Sequence, residues 1–295
     1  MQKKHIALNL LILTAVLLLS GCKGRKEKGN KEGLPLITVT IEPQRYFTEA
    51  IAGDKFKVIS MVPKGSNPET YDATPQQLVA LSESKAYFRI GYIGFEQNWM
   101  DRLIHNAPHL QVYNLSDHIN LIEGHAHCEH EHEHAIDPHI WNSTSNALII
   151  AKNTLEALCT LDKNNESYYM QRYNKLCEEI NKVDRLIREQ LSRNGASHAF
   201  MIYHPALTYF ARDYGLHQLT IEKDGKEPSP SHLESLIATC RKEQISILFI
   251  QPEFDKRHAE IIAEQSGLTL CPINPLSYNW KEEMIHIAKA LSSNL

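Results

Sequence analysis

The chain has 295 residues, 42% of them hydrophobic and 22% charged, with 13 Gly and 13 Pro. That supports one large or two medium cores, at roughly 100–200 residues per domain. It excludes a disordered, collagenous or polytopic membrane protein, because the single long apolar run lies at the very start. A net charge of −4 lacks the basic excess of a nucleic-acid binder, so no nucleic acid is expected as a partner.

Residues 1–21 read as an export signal. Lys3 and Lys4 give a basic start, and Leu8–Leu19 is an apolar core too short for a spanning helix of about 20 residues. Leu19-Ser20-Gly21-Cys22 follows, and a Cys directly after small residues resembles the bacterial lipobox. Cys22 is therefore expected to become the lipid-bearing mature N-terminus, anchoring the protein on the periplasmic side of a bacterial membrane. Losing Lys3 and Lys4 and no acid takes the formal charge from −4 to −6. Residues 22–35 are a tether, since Lys23–Gly33 has nothing apolar to bury.

Beyond it, short apolar strands alternate with helical segments, the pattern of a parallel α/β architecture. The first strand set is Leu36–Ile41, Val58–Val62, Ala86–Ile90 and Val112–Leu115. The second is Ala199–Tyr203, Leu219–Ile221, Ile245–Ile250 and Leu268–Ile273. Between them Ala147, Ala151, Leu155 and Leu158, then Leu176, Ile180, Val183, Ile187 and Leu191, recur at helical spacing. The expected division is an N-terminal lobe at 36–142, a connecting helical segment at 143–194 and a C-terminal lobe at 195–295. Two helix starts carry cap signals, Thr74-Pro75-Gln76-Gln77 and Ser231-His232-Leu233-Glu234. Five cysteines follow Cys22, at 128, 159, 177, 240 and 271; the odd number leaves at least one outside any disulfide, and spacing does not fix a pairing.

The chain has 16 histidines, six of them between His125 and His139. Histidine is the commonest metal-binding side chain. Gly124–His134 alone offers His125, His127, His130, His132 and His134 together with Cys128, whose soft sulfur suits zinc. Further candidates sit at the ends of regular elements: Glu69 in Asn67-Pro68-Glu69-Thr70-Tyr71, His139 in Asp137-Pro138-His139-Ile140-Trp141, and His204 after the strand Ala199–Tyr203. Two more strands end in polar groups, at Gln251 and Glu253 and at Asn274. In open α/β sheets the crevice beyond the carboxyl ends of the strands is where ligands bind.

Together these segments resemble the metal-specific solute-binding lipoproteins of bacterial ABC importers, in their zinc-uptake branch. The resemblance runs from about Leu36 to Leu291. It includes Gly94-Phe95-Glu96 before Trp99, Tyr209-Phe210-Ala211-Arg212-Asp213-Tyr214-Gly215-Leu216 behind His204, Glu227-Pro228-Ser229, and Asn274-Pro275-Leu276. It implies two α/β/α lobes, each with a small parallel sheet, joined by a long connecting helix, with metal in the cleft between them. Glu69 stands where the family places its first ligand, a His, and His139 and His204 match the next two. Asn274 aligns with the family's acidic residue, so the fourth position is left to Asn274, Glu253, a water or a residue of the His-rich loop.

Two imidazoles and a carboxylate suit Zn2+, and also Mn2+ or Fe2+, because carboxylate in place of imidazole hardens the site. The His-rich loop marks the zinc importers of the family. Ligating imidazoles must be neutral, so affinity is expected to fall below about pH 6.5. The function implied is an extracytoplasmic monomer that captures Zn2+ and delivers it to an importer permease and its ATPase. A zinc-storage or adhesin lipoprotein would use the same fold. An enzyme is disfavoured: two His and a carboxylate also build catalytic metal sites, but His-Glu-x-x-His is absent. A helical connector in place of hinge strands implies little lobe motion.

Overall fold

The computed structural model describes residues 33–124, 136–222 and 229–292. The expected signal at residues 1–21, Cys22, most of the tether, and His125, His127, Cys128, His130, His132 and His134 lie outside the described residues.

All eight expected strands form. The first sheet is built from β1 (Leu36–Val39), β2 (Lys57–Ser60), β3 (Ala86–Arg89) and β4 (Gln111–Asn114), in the order β2-β1-β3-β4. The second uses β5 (Ala199–Ile202), β6 (His217–Thr220), β7 (Ile247–Ile250) and β8 (Thr269–Pro272), in the order β6-β5-β7-β8. Every pairing is parallel, with Leu36 opposite Lys57 and Ala199 opposite His217 setting the registers. The central strands β5 and β7 are apolar along their length, β1 is broken only by Thr38, and all three are nearly fully buried, as a parallel sheet covered on both faces requires. Each strand has four residues, and several ladders continue past the strand ends, as where the Val62 amide donates to the Thr40 carbonyl and the Ile273 amide to the Ile250 carbonyl. β6 begins at His217 because its register against β5 is set there.

Helices complete the crossovers: α1 (Glu42–Ala52), α2 (Pro75–Ser82) and α3 (Gly94–Asn106) serve the first sheet. α6 (Thr208–Tyr214), α7 (Pro230–Lys242), α8 (Lys256–Ser266) and α9 (Trp280–Ser292) serve the second. The connecting segment is two helices packed on each other, α4 (Thr144–Leu161) and α5 (Glu166–Leu191, 26 residues), broken at Asp162–Asn165 by a single 3-10 turn. α2 begins as expected, with Thr74 as N-cap and Pro75 in the first turn. α7 begins two residues earlier than expected. Ser229, not Ser231, accepts from the His232 amide, because Pro230 supplies the fixed φ of a first helical position and has no N–H to satisfy.

One continuous core runs under both sheets, and indoles tie them together. Trp141 Nε1 donates to the Pro275 carbonyl at 2.8 Å, and Trp280 Nε1 donates to the Trp141 carbonyl at 2.7 Å. Among the described residues no helix is long and apolar enough to cross a membrane. The four described cysteines, Cys159, Cys177, Cys240 and Cys271, are all free thiols.

Candidate metal centre

The two sheets share one strand order, so each has a switch point, between β1 and β3 and between β5 and β7, where crossovers leave in opposite directions and open a crevice. His204 follows β5, and Gln251 and Glu253 follow β7, so all three stand at the second switch point. Glu69 comes from the turn after β2. His139 is delivered by the segment that returns from the His-rich loop, whose two ends are held together by a bridge between Glu123 and Ile136.

These residues meet. One cavity of about 20 Å³ is lined by Glu69, His139, His204, Gln251 and Glu253, with Trp141, Phe254, Pro68 and Leu276 closing it. That is room for one ion or one water. Asn274 is not among them. It is exposed and lines a neighbouring cavity of about 120 Å³, and its Oδ1 accepts from the Leu276 amide at 3.1 Å. Of the fourth-ligand candidates within the described residues, Glu253 reaches the cavity and Asn274 does not.

Each imidazole is held from behind by a carboxylate. Asp137 Oδ1 accepts from His139 Nδ1 at 2.9 Å and from the His139 amide at 2.9 Å. Glu222 Oε2 accepts from His204 Nδ1 at 2.5 Å. Carboxylates accept only, so both Nδ1 atoms donate and both Nε2 atoms are turned toward the cavity, where they lie 3.2 Å apart. The backbone of His204 is fixed by the buried amide of Gln251, whose Nε2 donates to its carbonyl at 2.7 Å, and its ring stacks on Phe254 with centroids 5.0 Å apart.

Charge follows from this packing. Burial alone would lower the His139 pKa, but the Asp137 carboxylate outweighs it and leaves it raised; the same pair lowers Asp137 despite its burial. For His204 burial wins over Glu222, and the nearby His139 adds to the lowering. Burial raises the Glu253 carboxyl. One oxygen each of Glu69 and Glu253, Oε1 in both, is buried without a hydrogen-bond partner. Unpartnered buried carboxylate oxygens are costly unless something arrives to meet them.

Two imidazole nitrogens on one tetrahedral cation, with metal–nitrogen bonds of about 2.0–2.1 Å, stand about 3.3 Å apart. The Nε2 pair is already at 3.2 Å. Among the described residues no three His, Cys, Asp or Glu side chains converge closely enough, as they stand, to hold one ion. Sequence reasoning did not single out Asp137 or Glu222 as partners of the imidazoles, nor Gly94, whose amide donates to Glu69 Oε2 at 2.9 Å. Only Asp137, two residues before its His, left a local signal.

Comparison with known proteins identifies the family. The chain matches the family described as zinc-uptake complex component A, periplasmic, over residues 37–294. It is 25% identical to the manganese ABC transporter substrate-binding lipoprotein PsaA of Streptococcus pneumoniae serotype 4, over 91% of this chain and 88% of that one. It is 26% identical to the high-affinity zinc uptake system protein ZnuA of Bacillus subtilis, over 92% and 89%. A crystal structure of ZnuA superposes with a TM-score of 0.82 at 32% identity, covering 88% of this chain and 98% of that one. The chain belongs to the periplasmic zinc-uptake component A family, and is a metal-binding substrate-binding protein of the ABC importer class.

Proposed function

We propose that this protein captures Zn2+ between its two sheets, with Glu69, His139 and His204 as ligands and Glu253 as the fourth. It hands the ion to the permease of an ABC importer driven by an ATPase, and binds and releases the ion without transforming it. Lipid on Cys22 keeps it at the membrane, and the His-rich segment 124–134 gathers zinc nearby. The observation that carries this reading is the pair of Nε2 atoms 3.2 Å apart, each backed by a carboxylate, beside two unpartnered carboxylate oxygens. Four nitrogen and oxygen donors are the usual complement of zinc.

Manganese is the second reading. It is favoured by the carboxylate at position 69 and by the manganese-named relative. Chelator competition with Zn2+, Mn2+ and Fe2+ on the wild type, His139→Ala and His204→Ala tests both readings. Each substitution is expected to abolish tight binding, with zinc held most firmly by the wild type. Undiminished zinc affinity in either variant would overturn the site, and tighter manganese than zinc binding would overturn the choice of metal.

A further inference from the structure

The two oxygens of Glu69 are not equally available to a cation. Oε2 accepts from the amide of Gly94, the first residue of α3, at 2.9 Å, while Oε1 alone remains buried and unpartnered. The turn that carries Glu69 is seated on the same helix end: the Phe95 amide donates to the Pro68 carbonyl at 2.9 Å. Asn67 Oδ1 accepts from the Glu69 amide at 2.9 Å, closing the turn on itself. This approach requires glycine at position 94. A Cβ there would stand 2.5 Å from the Glu69 carbonyl oxygen, 2.8 Å from Oε2 and 3.0 Å from its Cα. Two of these three are backbone atoms, so the turn itself would have to move.

We propose that Gly94 is a positioning residue that confines Glu69 to one-oxygen ligation and thereby biases the site toward a four-coordinate cation, Zn2+, over Mn2+. The proposal rests on the capture reading above. A carboxylate beside first-turn amides is held by both the hydrogen bond and the positive end of the helix dipole. With Oε2 so held, Glu69 adds one donor to His139, His204 and Glu253, a total of four. A two-oxygen Glu69 would raise the number to five and approach the oxygen-rich, higher-coordinate shells that suit manganese, whereas zinc prefers four. The carboxylate in place of an imidazole thus hardens the donor type without enlarging the shell.

The test compares the full chain with Gly94→Ala. Co2+, loaded as a spectroscopic substitute, reports coordination number through the strength of its visible bands, and Zn2+/Mn2+ competition reports preference. The carboxylate stretches of the zinc-loaded wild type, assigned with Glu69→Gln, report one-oxygen or two-oxygen binding. Expected are strong four-coordinate cobalt bands and a one-oxygen signature in the wild type. Gly94→Ala should show weaker, higher-coordinate bands and a zinc-over-manganese preference reduced on the order of tenfold or more, the lower range for lost outer-shell support. Unchanged bands and preference in Gly94→Ala, or a two-oxygen signature at Glu69 in the wild type, would overturn the proposal. If Gly94→Ala does not fold, the wild-type carboxylate signature decides alone. Failure of the capture reading looks different: His139→Ala and His204→Ala would then bind zinc as the wild type does.

Discussion

A carboxylate behind an imidazole does two things: it fixes which nitrogen carries the proton, and it makes the other nitrogen a better donor. Here Asp137 serves His139 and Glu222 serves His204. Asp137→Asn and Glu222→Gln keep the shape of each side chain and remove its charge. Each is expected to weaken zinc binding by about 10–100-fold, the usual cost of losing such support, with little change in the folded spectrum. Chelator competition measures it, and unchanged affinity in both would show that the carboxylates do not assist the ligands. At this scale the two imidazoles that meet in the cavity were legible in the sequence, because His139 and His204 lie in distinctive segments at element ends. Their supporting partners were less so. Glu222 reaches His204 only because β6 lies beside β5 and the Glu222 amide continues that pairing to the Tyr203 carbonyl. The choice between Glu253 and Asn274 was likewise illegible. Asn274 spends its side-chain oxygen on the amide two residues ahead, a local turn bond that a linear reading does not distinguish from a free donor.

Strands were most legible where burial on both sheet faces demands apolar runs, as in β5 and β7, whereas the edge strands β2, β4, β6 and β8 are partly exposed and mix polar with apolar residues. What the runs do not record is register, so β6 sits nearer its N-terminal side than its apolar residues suggest. Nor does a serine-rich stretch say which serine caps a helix; at Ser229-Pro230-Ser231 the proline decides. The His-rich segment poses the matching functional question for an element. Its ends are joined by the Glu123–Ile136 bridge, and Asp137 and His139 follow immediately, with the Asp137 amide tied to the Ile122 carbonyl at 2.9 Å. That stem is complete without the intervening residues. Deleting residues 125–134 is therefore expected to lower the total zinc bound per chain while leaving one tight site with wild-type affinity. Equilibrium dialysis with metal analysis measures both quantities. Loss of the tight site on deletion would mean that the segment supplies a cleft ligand.

At the scale of the molecule, the cavity is built from both halves of the chain, which are not loosely joined. Trp141 lies beside His139 and donates across to Pro275, and Trp280 returns a bond to Trp141. Tyr209 binds the Asp137 carbonyl at 2.8 Å, and α5 packs along α9. A hinge that opened the sheets widely would break this buried junction, so the two halves are expected to melt together and the ion to stabilise them as one body. A ligand at 100 times its dissociation constant adds about 2.7 kcal/mol to the native state. For a chain of this size, where each kcal/mol moves the midpoint by about 2–4 °C, that is a rise of roughly 5–10 °C. Calorimetry of the chain without metal should show one transition, and of the zinc-loaded chain one transition displaced upward, returning on addition of EDTA. Near pH 5, well below the imidazole reference of about 6.5, protons compete for His139, whose pKa is raised because the Asp137 carboxylate outweighs its burial, and the displacement should shrink toward zero. Two transitions, only one of them moved by zinc, would mean that the halves are coupled too weakly for one cavity to be assembled from both.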